Sequence, residues 1–297
     1  MNINETILWT AIVTPMNADG SLNFKDLEKL LREQKEAGNG VVLLGSTGES
    51  LNLSEKERRD LLTFALGLKL DIPTMVGVGG VHMEETTAWV EYLNSLKGID
   101  CYLLVTPLYA KPGRRGQTAW FKKLMDTSTR PCMLYNVPSR TGKAMDHNTV
   151  VDLKDHKNFW AIKEASGSEA EFAKYRSEAP KNALLMSGDD ALTPAFCRLG
   201  GNGLVSVASN IWPKETNLFV QKSLNKTLSK QEEQLWSECA NALFIASNPI
   251  PAKVLLKELG RISSSTLKLP LTHLDLEDPA PLLSAHSKIQ EWYKSQK

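Results

Sequence analysis

Cys132-Met133-Leu134-Tyr135-Asn136-Val137-Pro138-Ser139-Arg140-Thr141-Gly142 and, further on, Phe159-Trp160-Ala161-Ile162-Lys163-Glu164-Ala165-Ser166-Gly167 are two short apolar runs, each stopping on polar side chains. Neither run alternates strictly between apolar and polar residues. A strand that is apolar on both sides belongs in a parallel sheet covered on both faces. The same unit recurs along the chain, with strand candidates at Trp9-Val13, Val41-Leu44, Thr74-Val78, Cys101-Val105, Cys132-Tyr135, Phe159-Lys163, Ala183-Ser187 and Gly203-Val207.

Helical patterns lie between them. Phe24, Leu27, Leu30 and Leu31 hold one face of the first helix, and Leu61, Leu62, Ala65 and Leu66 one face of the second. Ser54 with Glu57 reads as a capping box opening that second helix, and Gly38 as a helix C-terminal glycine. Eight strand–helix units in 297 residues point to an α/β protein built as a (β/α)8 TIM barrel. An open doubly wound sheet would more often carry a nucleotide fingerprint. Gly77-Val78-Gly79-Gly80 lacks the third glycine at the right offset and reads as a tight turn after the third strand. Helical segments continue through Lys230-Ser247, Ala252-Leu259 and Pro281-Ser295, so residues 1–225 are assigned to the barrel and 226–297 to a small C-terminal helical extension.

Composition narrows the function. With 35 basic and 34 acidic residues the formal net charge is +1, which gives no electrostatic footprint for nucleic acid or an anionic membrane. Met1 to Thr6 carries no basic region, the apolar stretch Ile7 to Val13 is short for a signal core, and no window has the length of a transmembrane helix. A cytoplasmic location is the expectation. Cys101, Cys132, Cys197 and Cys239 show no paired spacing, and the first two sit in strand-like runs as inert buried thiols. The five histidines have no spacing that builds a metal site on one helix, so no metal is expected.

In a barrel of this kind the chemistry sits at the C-terminal ends of the strands. The unusual residues fall there repeatedly: Gly45-Ser46-Thr47-Gly48-Glu49-Ser50, Thr106-Pro107-Leu108-Tyr109, Tyr135, Lys163 and Ser187-Gly188-Asp189-Asp190. A lysine desolvated at a strand end favours its neutral amine, which attacks ketones to give Schiff bases. Two hydroxyls and flexible amides in the Gly-Ser-Thr-Gly loop suit a small carboxylate. Ser50 and the pair Asp189-Asp190 also fit helix capping. Glu49 and Glu164 fit either acid–base work or buried structural hydrogen bonding. The basic loop Lys111-Pro112-Gly113-Arg114-Arg115 reads as solvated surface, with a role in drawing in anionic substrate as the alternative.

Gly45–Glu49, Tyr135–Gly142, Ile162-Lys163-Glu164-Ala165, Ser187–Asp190, Asn248-Pro249-Ile250-Pro251 and Lys257-Glu258-Leu259-Gly260 together resemble the dihydrodipicolinate synthase family, within the pyruvate-dependent class I aldolases related to N-acetylneuraminate lyase. The likeness spans nearly the whole chain. Pro138-Ser139-Arg140-Thr141-Gly142 separates this family from its sister aldolases.

The resemblance implies a lyase of the diaminopimelate route to lysine that condenses pyruvate with L-aspartate-4-semialdehyde and needs no cofactor beyond its own lysine. It makes Lys163 the imine former and places Thr47 on the pyruvate carboxylate. Tyr135 becomes the proton shuttle in a relay with Ser46 and with Tyr109 of a neighbouring subunit. Arg140 receives the carboxylate of the second substrate, while Gly188 and Val205 line the pyruvate pocket. It also implies a homotetramer. Ser46 departs from the threonine of many members, losing the methyl that restricts the rotamer.

Several members bind lysine as an inhibitor at a subunit interface. Ser50 and Glu85 match that set, whereas Val81 stands for an asparagine, Leu108 for a tyrosine, and Glu55 and Arg58 for histidines, so weak or absent inhibition is expected. A sister keto-sugar-acid lyase, or a non-catalytic barrel that binds a keto acid, are the alternatives that the residues leave open.

Overall fold

Tyr135 and Lys163 stand opposite each other on adjacent parallel strands, in a ladder that closes on itself. The computed structural model describes residues 2–296, so the outermost residues of the two segments assigned from sequence, 1 and 297, lie outside the described part. Among the described residues eight parallel strands form a closed barrel in sequence order. They are β1 (Leu8–Ala11), β2 (Gly40–Leu43), β3 (Thr74–Val78), β4 (Cys101–Val105), β5 (Cys132–Asn136), β6 (Phe159–Glu164), β7 (Leu184–Ser187) and β8 (Gly203–Ser206), with β8 paired back onto β1. Each strand matches an expected run: β3 and β4 keep its bounds, and the other strands have ends displaced by a residue or two.

The crossover helices are α1 (Phe24–Ala37), α2 (Glu55–Gly67), α3 (Met83–Ser95) and α4 (Arg114–Thr127), then the one-turn α5 (Pro138–Thr141) with α6 (His147–Leu153), and α7 (Glu169–Glu178), α8 (Thr193–Arg198) and α9 (Pro213–Leu224). The capping box of Ser54 and Glu57 opens α2, and Gly38 ends α1 in a left-handed conformation at φ +73°. Ser50 lies in the loop before that box and caps nothing, so the capping expectation for it fails.

Strand side chains alternate between two cores, as the period of two requires. Met133, Tyr135, Ala161, Met186 and Val205 point into the barrel, where Trp9, Val42, Met75 and Cys101 join them. Cys132, Leu134, Phe159, Ile162, Leu185 and Leu204 point outward and pack under the helices. Lys163 follows Ala161 on the inner side, which fixes its direction before any chemistry is considered.

Gly77 and Val78 lie within β3, as the strand candidate has it, and only Gly79 and Gly80 of that glycine run follow the strand. A Cβ at Gly77 would stand 2.3 Å from the Leu44 carbonyl oxygen, so only glycine lets the end of β2 cross so closely.

The chain after residue 225 folds as α10 (Lys230–Ala242), α11 (Ile250–Glu258) and α12 (Ala280–Ser295). The helix expected over Lys230-Ser247 stops at Ala242, and turns and bends carry the chain on to Pro249. Phe219 of α9 stacks on Trp236 of α10, with ring centroids 4.2 Å apart, and Trp292 of α12 meets Trp236 edge-on. These contacts fasten the extension to the last barrel helix. No described helix is long and apolar enough to cross a membrane.

Candidate active site

The lysine, the phenol and the glycine expected at the rim form one constellation. Lys163 is 5% exposed, and its Nζ lies 4.2 Å from the centroid of the Tyr135 ring. Among the described residues Lys163 takes part in no ion pair. Gly188 closes the other side. A Cβ there would stand 2.7 Å from Ala165 Cβ, 2.8 Å from Lys163 Cε and 3.1 Å from the Glu164 carbonyl. The Gly188 N–H donates to that same carbonyl at 2.7 Å, which draws the ends of β6 and β7 together beside the amine. Val205 is buried inside the barrel with Met186, the residue paired with Lys163 on β7.

Above this floor opens a cavity of about 290 Å³. Ser46, Tyr135 and Arg140 line it, with Leu103, Val105 and Val137 as apolar wall. Lys163 is not among the lining residues; it meets the cavity through the Tyr135 ring. The outer end of the cavity runs between Ser50, Leu51 and Leu108.

Thr47 is buried and its hydroxyl accepts a hydrogen bond from Asn248 Nδ2 at 2.9 Å. The carbonyl of the same Asn248 accepts from Arg140 Nη2 at 3.1 Å. One residue of the C-terminal extension therefore joins the loop after β2 to the turn after β5. Sequence reading missed this role of Asn248, although its motif was noted. Its side-chain oxygen is buried and without a partner.

Tyr109 is the exception. It is 90% exposed, in a left-handed conformation at φ +62°, and is not among the residues that line the cavity.

The surrounding carboxylates are structural. Glu164 turns outward, where its two oxygens accept from Asn136 Nδ2 and from the Ser166 N–H, each at 2.7 Å. Burial raises its pKa and these bonds offset part of the rise. Glu49 is engaged on both oxygens, by Lys253 and by the Lys268 N–H. Of the two acidic residues expected to cap a helix, Asp189 accepts from the N–H groups of Ala191 and Leu192 in the turn before α8. Asp190 does not cap that helix. It reaches across to β8, accepting from Ser206 Oγ and from the N–H groups of Val207 and Ala208, which satisfies donors left unpaired where the strand ends. Burial raises the pKa of both.

The four cysteines are buried and free; burial pushes Cys132 up to about 12 and Cys197 and Cys239 up to about 11. Among the described residues no cluster of His, Cys, Asp and Glu is able to hold a metal ion. An amine pressed against a phenol, beside a cleft lined by a hydroxyl and a guanidinium, is equipped to form an imine with an anionic ketone.

Known proteins are similar to this chain over nearly its whole length. A family model described as the dihydrodipicolinate synthetase family matches residues 5–288. The 4-hydroxy-tetrahydrodipicolinate synthase of Francisella philomiragia is 44% identical over 286 residues, covering 96% of each chain. The crystal structure of the dihydrodipicolinate synthase of Acinetobacter baumannii, complexed with pyruvate, superimposes with a TM-score of 0.90 at 32% identity, covering 96% of this chain and 99% of that one. The dihydrodipicolinate synthase of Cyanidioschyzon merolae, crystallised with lysine bound, gives a TM-score of 0.89 at 31% identity, covering 97% and 99%.

Proposed function

The chain belongs to the dihydrodipicolinate synthetase family, and from that premise we infer how its site carries out the 4-hydroxy-tetrahydrodipicolinate synthase reaction. The enzyme is a lyase that condenses pyruvate with L-aspartate-4-semialdehyde in lysine biosynthesis. Lys163 adds to the ketone carbon of pyruvate and water leaves as the imine forms. Tyr135, whose ring lies against the amine, passes the protons of that step. Loss of a methyl proton gives the enamine, which attacks the aldehyde carbon of the second substrate. The amine of that substrate then displaces Lys163 and closes the ring.

Thr47 receives the pyruvate carboxylate, Gly188 and Val205 shape the pocket around the ketone, and Arg140 takes the carboxylate of the semialdehyde through a charge-assisted pair. Ser46 continues the relay from Tyr135. Tyr109, exposed on its own chain, completes the relay in a neighbouring copy, so the active form is an oligomer, read as a homotetramer that works in the cytoplasm. Residues 1–225 supply the reacting groups and residues 226–297 support them.

The observation that carries this reading is the contact of the Lys163 amine with the Tyr135 ring at 4.2 Å, on paired positions of adjacent strands. Borohydride reduction in the presence of pyruvate is expected to fix a pyruvate adduct on Lys163, and the folded Lys163→Ala variant is expected to gain none. Adduct formation in that variant would place the nucleophile elsewhere. Turnover of N-acetylneuraminate in place of aspartate semialdehyde would move the enzyme to a sister activity.

A further inference from the structure

Glu49 and Lys253 form an ion pair at 2.8 Å in which both side chains are completely buried. Stability alone does not account for it, since an apolar pair of similar volume often serves a fold equally well. Its neighbours suggest a different role. Lys253 Nζ also donates to the Thr14 carbonyl at 2.9 Å, and Glu49 Oε2 accepts from the Lys268 N–H at 2.8 Å. The Thr14 hydroxyl in turn donates to the Gly48 carbonyl at 2.7 Å, while Asn248 holds the Thr47 hydroxyl. Three consecutive residues, Thr47, Gly48 and Glu49, are thus each gripped from outside their loop.

Glu49 itself sits at φ +56°, a left-handed conformation uncommon for a non-glycine residue. Burial lowers the pKa of Lys253, and the attraction of Glu49 counters that shift.

We propose that Lys253, through its buried pair with Glu49, is a positioning residue that sets the Ser46–Thr47 segment for the pyruvate carboxylate. The C-terminal extension then acts on the first substrate without touching it. This rests on the assignment of Thr47 to that carboxylate. A displacement of about 1 Å at a binding group reduces rates by up to roughly a hundredfold, so slack in this loop has a measurable effect.

The test uses the full-length enzyme and four variants: Glu49→Gln, Lys253→Met, the double Glu49→Gln/Lys253→Met, and Thr47→Val. Each single change at the pair leaves one buried charge without its counter-charge and lowers the melting temperature. The double variant recovers most of that loss. The expected result is that it nevertheless keeps a pyruvate KM raised about tenfold, the effect of one weakened contact to a charged group. Its turnover at saturating pyruvate and its borohydride-trapped adduct are expected to persist. A double variant with wild-type pyruvate KM would make the pair structural only and overturn the proposal. Should the double variant fail to fold, Glu49→Gln alone, which keeps the shape of the side chain and removes the charge that faces Lys253, is read in its place; it is expected to raise the same KM, and an unchanged value would overturn the proposal equally. Thr47→Val separates the two levels of inference. If it leaves the pyruvate KM unmoved, the assignment of Thr47 fails, whereas a raised value there with a wild-type double variant refutes the positioning role alone.

Discussion

Replacing Gly188 by alanine tests the site at its tightest point. The added Cβ would meet Ala165 Cβ at 2.7 Å and Lys163 Cε at 2.8 Å, with the Glu164 carbonyl at 3.1 Å. Carbon atoms in contact prefer about 3.5–4.0 Å, so each carbon contact is short by roughly an ångström. Of the three neighbours only Lys163 Cε belongs to a flexible side chain. Ala165 Cβ is fixed to the backbone, and the Glu164 carbonyl is tied to residue 188 by the 2.7 Å hydrogen bond. Lys163 therefore yields first, and the ends of β6 and β7 separate for the rest.

Overpacking of this kind costs about 1–3 kcal/mol of stability. The chemical cost is larger, because a reacting group displaced by about 1 Å loses up to roughly a hundredfold in rate. The assay is single-turnover trapping of the pyruvate imine with borohydride, followed by mass spectrometry, beside a thermal melt. The expected outcome is a modestly lower melting temperature with trapping slowed by one to two orders of magnitude. Wild-type trapping in a variant that melts normally would refute the claim that Gly188 makes room for the lysine.

Arg140→Ala is expected to raise the KM for aspartate semialdehyde by roughly 10- to 150-fold, the value of a lost charge-assisted contact, and to raise that for pyruvate far less; equal effects in steady-state kinetics would make Arg140 a general organiser of the site. Free lysine is expected to inhibit weakly, with half-inhibition above about 1 mM. Val81 is exposed and Leu108 lines the outer cavity, neither with a side-chain donor, and the Arg58 guanidinium lies 4.6 Å from the centroid of the Trp89 ring; titration of lysine into the assay checks this.

Acid is expected to loosen the C-terminal extension through Glu232. Burial raises the pKa of this carboxyl, but hydrogen bonds from Lys222, Ser229 and Trp292 outweigh it and bring it from 4.5 to about 2. A carboxyl depressed in the folded state stabilises above its unfolded value, and that contribution is lost as the pH falls from 4.5 toward 2. After solvent screening it is worth about 1–2 kcal/mol. Melting curves of Glu232→Gln should therefore show less loss between about pH 5 and 3 than those of the wild type, and parallel curves would refute this.

The barrel was legible because its signals are local. A strand buried on both faces announces itself by an unbroken apolar run such as Cys132-Met133-Leu134, and a helix by the spacing of Leu27, Leu30 and Leu31. The repeat of the two in order admits few topologies. Lys163 was legible too, because a charge ending an apolar run is conspicuous, and period-two alternation sends it inward with Ala161. The family motifs supplied the remaining roles.

What the sequence left open are the contacts whose partners lie far apart along the chain. Asp190 reads equally well as a cap for the helix that follows, until the fold sets the end of β8 beside it. Glu49 fits acid–base work until Lys253, 204 positions later, arrives to neutralise it in the interior. Asn248 gives no hint that it joins Thr47 to Arg140. Backbone periodicity is set by neighbours three or four residues away, so sequence alone determines it. Pairing between buried polar groups depends on which strand ends the closed barrel brings together, and only the tertiary structure decides that.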